Sequence, residues 1–308
     1  MEFKKVALIG VGAVGSYILW GLSQKDGIDL CVIAEGERKD RYERDGFEIN
    51  GNTFHPAIKT PSEAHGADLI IVATKYSGLS AAVGYAAVIC DEHTQVISLM
   101  NGVESEGVIG EKVGMEKMIY SVIKIASERI GNSVKFDPET TIGVIYGELE
   151  GKRVPGRLNA VEELFNGSGV KSRRSDVILS EIWCKFRLNV SHNLPQAILG
   201  VGVGAYLDSE HAAFLRDSLA REVEALAMAQ GIDVSLADKS SNKGSAVAKA
   251  AKYSTYQDIC AKRHTEIDML AGAMIRIGEK LGIPTPYSQF VYHAIKALEE
   301  KNDGLFNY

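Results

Sequence analysis

The chain has 308 residues, about twice the usual length of one domain, so two domains are the starting expectation. Apolar residues make up 45% and charged residues 24%, average for a soluble globular protein, which excludes a disordered chain. With 34 basic and 40 acidic residues the net charge is −6, which gives no support for nucleic-acid or anionic-membrane binding, a role usually marked by a clustered basic excess. Glycine is the one departure: 31 of 308, about 10% against the usual ~7%, so some part of the chain needs tight turns or close backbone approach.

In chain order, Lys4-Lys5 precede an uncharged stretch over 6–24 that has the outline of a secretory signal. Gly10, Gly12, Gly15 and Gly21 interrupt it, and no A-x-A-like cleavage site precedes Lys25-Asp26, so a cytoplasmic chain without a membrane segment is expected. Apolar runs at 4–9, 29–34, 68–73 and 95–99 read as buried strands, and 16–23, 37–45 and 78–90 between them read as helices. Such alternation predicts parallel βαβ units in a doubly wound sheet. Further strands at 118–127, 133–137 and 140–148 are spaced like an antiparallel continuation. Beyond about residue 175 β-branched runs disappear, and helices are predicted over 180–198, 209–230, 245–252, 255–281 and 286–301. Gly231 and Gly282 are helix stops, with Pro284 just past the second. The fold class is therefore α/β: an N-terminal Rossmann-like doubly wound sheet at 1–174, then an all-helical C-terminal domain at 175–308. Cys31, Cys90, Cys184 and Cys260 stand singly, fit neither a disulfide framework nor a metal site, and read as buried reduced thiols.

Gly10-Val11-Gly12-Ala13-Val14-Gly15 follows the first strand and opens a helix, the context in which G-x-G-x-x-G binds a dinucleotide. Gly10 permits the turn, Gly12 the approach of the pyrophosphate, and Gly15 close helix–strand packing, with the phosphates on the helix N-terminus. Glu35, 20 residues past Gly15 at the end of the second strand, suits the adenosine ribose hydroxyls and would repel a 2′-phosphate, favouring NAD. Arg38 or Lys39 beside it could instead meet a phosphate, and a plain solvated loop is an equal reading.

In the second half, Lys185, Asn189 and Asn193 are spaced i, i+4, i+8, each step about 40° beyond a full helical turn, so they share one face. One cation and two carboxamides can grip a small oxygen-rich anion; from spacing alone, a solvated face over Trp183, Phe186 and Leu188 is favoured. Pro195 removes a donor to the Ser191 carbonyl and predicts a kink. Ser254 with Gln257 reads as a capping box, Glu266 as a surface partner of Arg263, and His264 as surface.

Taken together these pieces resemble the ketopantoate reductase family over nearly the whole chain. The motifs are G-x-G-x-x-G, Ala73-Thr74-Lys75, Asn101-Gly102, Lys185-x3-Asn189-x3-Asn193, Ser254-x3-Asp258 and Thr265-Glu266-Ile267-Asp268, in matching order and separation. The resemblance implies a 6-phosphogluconate dehydrogenase-like fold with a dinucleotide-binding domain and a helical substrate and dimerisation domain. It also implies NAD(P)H-dependent reduction of ketopantoate to (R)-pantoate in pantothenate biosynthesis. By the same resemblance Lys185 is the general acid, Asn189 and Asn193 are substrate amides, and Ser254 meets the substrate carboxylate. Glu266 is an acidic member of the catalytic site, Asn101 meets cofactor and substrate, Lys75 lies near the adenosine end, and Ala126 or Ser127 near the nicotinamide. NADP is the cofactor of the resemblance, but Glu35 stands where the family commonly has arginine, which raises NAD. Val203 and Gly204 occupy the region of a further family asparagine, so another branched 2-keto acid is an alternative substrate. A non-catalytic dinucleotide-binding protein is a third reading. The expected partner is a small-molecule 2-keto acid, not nucleic acid or membrane, with a monomer or homodimer as the assembly.

Overall fold

The apolar run after Lys4 forms strand β1 (Lys5–Ile9) in the computed structural model, which describes residues 1–237 and 248–308. The described chain divides by its contacts into two units: Met1–Met100 with Glu104–Ile178, and Asn101–Val103 with Leu179–Tyr308.

The first unit holds the described strands. After β1 come β2 (Asp29–Ile33), β3 (Phe47–Ile49), β4 (Asn52–Phe54), β5 (Ala57–Lys59), β6 (Leu69–Val72) and β7 (Gln95–Ser98). They continue as β8 (Met118–Lys124), β9 (Ser127–Ile130), β10 (Ser133–Phe136), β11 (Gly143–Gly147) and β12 (Ser172–Arg174). Its helices are α1 (Ala13–Leu22), α2 (Gly36–Asp45), α3 (Leu79–Ile89), α4 (Ser105–Val113) and α5 (Arg157–Phe165). The main sheet has the order β12-β11-β8-β7-β6-β1-β2-β5. Pairing is parallel from β5 through β8, and β11 then runs antiparallel to β8. With β5 as the third strand, those six parallel strands have the 3-2-1-4-5-6 order of a dinucleotide fold. Strands covered on both faces need apolar side chains at every position, which is why Val6–Ile9 and Leu69–Val72 are buried throughout. Each such aliphatic contributes about 1.5–3 kcal/mol by burial.

The direction of winding reverses between β1 and β6, so the turns after these strands leave the same edge side by side. A second sheet, β4-β3-β10-β9, lies against α1, with Phe136 edge-on to Tyr17 and Trp20 at ring separations of 5.2 and 5.4 Å. An inner ion pair braces the main sheet: Glu148 Oε1 accepts from Arg157 Nε at 2.7 Å, and Arg157 Nη1 donates to Gln95 Oε1 at 3.0 Å.

Several elements depart from the sequence expectation. α1 begins at Ala13 rather than at 16, because the third glycine of the motif lies inside its first turns. The strand expected over 118–127 stops at Lys124, and β9 leaves for the smaller sheet. β3, β4 and β5 have three residues each, too few for any periodicity to register. α4 and α5 are likewise absent from the sequence expectation. Cys31 is buried, but Cys90 and Cys184 are half-buried and Cys260 is exposed, so the expectation of four buried thiols fails at three; all four are free.

Glu106, in α4, is 5% exposed and accepts from the Ser105 hydroxyl at 3.0 Å. Burial raises its carboxyl to about 7, against the hydrogen bonds that lower it. The unfolded chain loses this proton from about pH 4.5 upward while the native state holds it to about 7, so stability falls as pH rises across that window and levels off above it. Glu106→Gln should remove about 3 kcal/mol of that fall when urea unfolding is compared between pH 5 and 8. Parallel pH profiles of the two proteins would show that Glu106 is already ionised in the native state.

The second unit is helical: α6 (Ile178–Leu188), α7 (Leu194–Leu199), α8 (Ala205–Asp208), α9 (Glu210–Ala229), α10 (Ser254–Cys260), α11 (Ala271–Leu281) and α12 (Pro286–Asn302). α6 and α7 are joined by a π-helical turn, Asn189–Asn193. Pro195 has no N–H to close on Ser191, and the ladder widens there instead of running straight over 180–198. α9 starts at Ser209, whose hydroxyl accepts from Ala212 N, and Gly231 (φ +75°) and Gly282 (φ +69°) end their helices in the left-handed region. The helix expected over 255–281 is three pieces: α10, a 3₁₀ turn at Ile267–Met269, and α11, with Lys262 at φ +51° breaking the run. Of the helix expected over 245–252, residues 245–247 lie outside the described residues and 248–252 are non-helical. Among the described residues no helix is long and apolar enough to cross a membrane.

Candidate active site

In the first unit, Gly10 sits at φ +93°, and a Cβ on it would lie 2.9 Å from the Ala73 carbonyl oxygen. The turn after β1 therefore needs glycine to pass the backbone that leads from β6 to Lys75. A Cβ on Gly15 would meet the Gly10 carbonyl oxygen at 2.0 Å, whereas one on Gly12 would meet nothing within 4 Å. Gly12 is the N-cap of α1 and gives no side-chain cap, and the first turn carries no acidic residue. Open space at Gly12 before amides with no side-chain cap is what a pyrophosphate requires, so the turn Gly10-Val11-Gly12-Ala13-Val14-Gly15 has the shape to take the phosphates of a dinucleotide.

Glu35 is exposed at the end of β2 and is the N-cap of α2. Tyr85, on α3, hydrogen-bonds its carboxylate, and burial together with this negative neighbour raises the Tyr85 phenol. No sequence pattern singled out Tyr85, which lies 50 positions from Glu35 on a different helix. Lys39, one of two cations that could have met a phosphate, is held by Glu43 Oε1 at 2.6 Å and the Ile58 carbonyl at 2.8 Å. Lys75 is exposed just after β6, and Ser127 opens β9 in the smaller sheet, opposite Phe136.

In the second unit three polar residues form a line. Lys185, half-buried on α6, donates from Nζ to Asn101 Oδ1 at 2.8 Å, and Asn101 Nδ2 donates to Glu266 Oε2 at 2.7 Å. The two charges fix the carboxamide: its NH₂ must face the carboxylate and its oxygen the ammonium. Asn101 is brought there by Gly102, at φ +90°, where a Cβ would be 3.1 Å from the Met269 carbonyl oxygen. Glu266 is thus no surface partner of Arg263, which pairs with Asp258 at 2.8 Å. His264 is exposed and faces Asp303 at 3.0 Å, consistent with a surface role.

Asn189 and Asn193 are buried on the π turn, with Asn193 Nδ2 at 3.4 Å from Asn189 Oδ1. Asn193 Oδ1 is buried and has no hydrogen-bond partner. A buried acceptor left open in this way is costly unless something supplies a donor. The capping box at Ser254 is not formed: Tyr253 is the N-cap, Ser254 is exposed, and Gln257 Nε2 donates to the Lys252 carbonyl. The start of α10 is fixed instead by Gln196, 0% exposed, which donates to the Ala251 carbonyl at 3.0 Å and accepts from Tyr253 N at 2.7 Å. Gln196 is a positioning residue the sequence reading passed over; a glutamine in an apolar helix turn was its only signal.

A sequence model of the family described as ketopantoate reductase PanE/ApbA matches residues 6–146, and one of its C-terminal part matches 177–299. The 2-dehydropantoate 2-reductase of Pyrococcus horikoshii is 27% identical over 97% of this chain and 99% of its own length. The crystal structure of a PanE/ApbA family ketopantoate reductase from Ralstonia eutropha has a TM-score of 0.80 at 25% identity, covering 97% of this chain and 99% of that one. D-mandelate dehydrogenase in complex with NADH has a TM-score of 0.81 at 26% identity, covering 96% and 99%. Matches run through both units and include the glycine turn, Asn101, Lys185 and Glu266 within the matched ranges. The chain belongs to the ketopantoate reductase family.

Proposed function

We propose that this chain reduces ketopantoate to (R)-pantoate, with NADH as the preferred reductant. The observation that carries the reading is the Lys185–Asn101–Glu266 line, a cation held by an oriented carboxamide in a family of dinucleotide-dependent reductases. Residues 1–174 would hold the dinucleotide and 175–308 the keto acid, with Asn101 joining the second group. The bound dinucleotide supplies the hydride equivalent. Lys185 Nζ stabilises charge developing on the substrate carbonyl oxygen and delivers the proton there, held in direction by Asn101 Oδ1. Asn193 Oδ1 suits the substrate's hydroxyl, and the exposed Ser254 hydroxyl suits its carboxylate. NADH is favoured over NADPH because Glu35 presents a carboxylate at the end of β2 and Lys39 is engaged elsewhere.

The test is NADH and NADPH oxidation with ketopantoate, 2-ketoisovalerate, 2-ketoisocaproate and phenylglyoxylate, the keto acid corresponding to mandelate. Ketopantoate with NADH should give the highest kcat/KM. A higher value for another acid would reassign the substrate, and no turnover of any would leave a dinucleotide-binding protein. Glu35→Ala with Glu37→Arg should raise the NADPH/NADH ratio of kcat/KM at least about tenfold, roughly 1.4 kcal/mol. An unchanged ratio would show that Glu35 does not face the ribose.

A further inference from the structure

Glu266 caps the short 3₁₀ turn Ile267–Met269 and lies outside any α-helix, yet residues on either side of it are tied to one helix. On α12, Tyr292, Lys296 and Glu299 are spaced i, i+4, i+7 and so share a face. Tyr292 Oη donates to Asp268 Oδ1 at 2.8 Å, and Lys296 Nζ donates to Asp268 Oδ2 at 2.9 Å. Glu299, 3% exposed, accepts at Oε1 from both the Thr265 N–H and the Thr265 hydroxyl, each at 2.7 Å. Lys296 Nζ is also 3.5 Å from Glu299 Oε2, so one ammonium joins the two carboxylates. Arg276 adds a bond from α11 to the Asp268 carbonyl at 2.9 Å, and Ile267 between the ties is fully buried. Thr265 and Asp268 bracket Glu266 in sequence, so its backbone is held on both sides.

We infer that the Tyr292–Lys296–Glu299 stripe is a positioning device for the reaction: it sets Glu266 against Asn101, and through Asn101 orients Lys185. These three residues touch no reacting atom. The inference rests on the reading of Lys185 as the proton donor, because that reading gives the orientation of Asn101 its value. The physical case is one of reach. A carboxylate on an irregular segment has backbone as well as side-chain freedom, and a near-attack geometry tolerates errors of only about 1 Å. Side-chain ties from a rigid helix remove that freedom without using the carboxylate itself.

The experiment compares wild type with Tyr292→Phe/Lys296→Met, which alters the half-buried ties and leaves Glu299 in place. Two readouts are needed. With ketopantoate and NADH, kcat should fall about tenfold while KM for NADH changes less than about twofold. The Asn101 side-chain amide cross-peaks in a ¹⁵N spectrum, identified by their loss in Asn101→Asp, should shift in the double variant. Lower thermal stability with unchanged kcat and unshifted Asn101 signals would overturn the inference, as would a kcat loss with unshifted signals. Failure of the underlying reading looks different: Lys185→Ala would retain activity, or wild type would reduce no keto acid. In either case the Asn101 signals still decide whether the stripe sets that side chain.

Discussion

Lys185→Ala should lower kcat/KM for ketopantoate by about 10²–10⁴, roughly 3–5 kcal/mol of transition-state stabilisation, with dinucleotide affinity unchanged within about twofold. The size follows from the role. A carbonyl oxygen gaining negative charge needs both a nearby cation and a proton, and in the proposed role Lys185 Nζ would supply both from one atom. Alanine leaves water to do the same work and also leaves Asn101 Oδ1 without its 2.8 Å donor. Dinucleotide affinity should survive because the glycine turn belongs to the other unit. Kinetics and NADH fluorescence titration on one preparation would check both halves. A loss of less than about tenfold, worth ~1.4 kcal/mol, would remove Lys185 from the chemistry.

The second large effect is a contrast between two glycines. Gly15→Ala should destabilise the fold and weaken NADH binding more than about 100-fold, since its methyl would sit 2.0 Å from the Gly10 carbonyl oxygen. That oxygen is backbone in a turn already at φ +93°, so relief requires the turn to open and the α1 amides to move. Gly12→Ala makes the opposite case. Its φ is −89° and its methyl meets no protein atom within 4 Å, so thermal unfolding without cofactor should change by no more than about 0.5 kcal/mol. NADH affinity should nevertheless fall, because the added methyl would project into the space proposed for the pyrophosphate. Undiminished binding by Gly12→Ala would show that this turn does not hold phosphates.

Some of this architecture was legible in the sequence and some was not, for definite physical reasons. Strands β1, β2, β6 and β7 announced themselves because a parallel sheet covered on both faces demands unbroken apolar runs. β5 did not: of its three residues only Ile58 is buried, yet it completes the strand order. Periodicity over 255–281 is helical, but bonds from α12 to Thr265 and Asp268 outweigh local propensity and hold the segment irregular. Lys185 shows the same limit at the site. Spacing on its helix argues for a solvated face, and only family resemblance pointed elsewhere. Its contact with Asn101 joins positions 84 apart, and Asn101 to Glu266 joins positions 165 apart. No local pattern encodes such pairings. The π turn, in contrast, had a local cause in Pro195, and the irregularity expected there is present.

The grouping of Asn101–Val103 with the helical unit bears on how the chain can be dissected. A fragment beginning at Leu179 would carry Lys185 and Glu266 but not the carboxamide that separates them, leaving an ammonium and a carboxylate free to collapse onto each other. A complementary fragment ending at Ile178 would carry Asn101 with neither of its partners. No single cut delivers the helical unit whole, so grafting it onto another nucleotide-binding scaffold would require transplanting a loop from the donor's first hundred or so residues along with it.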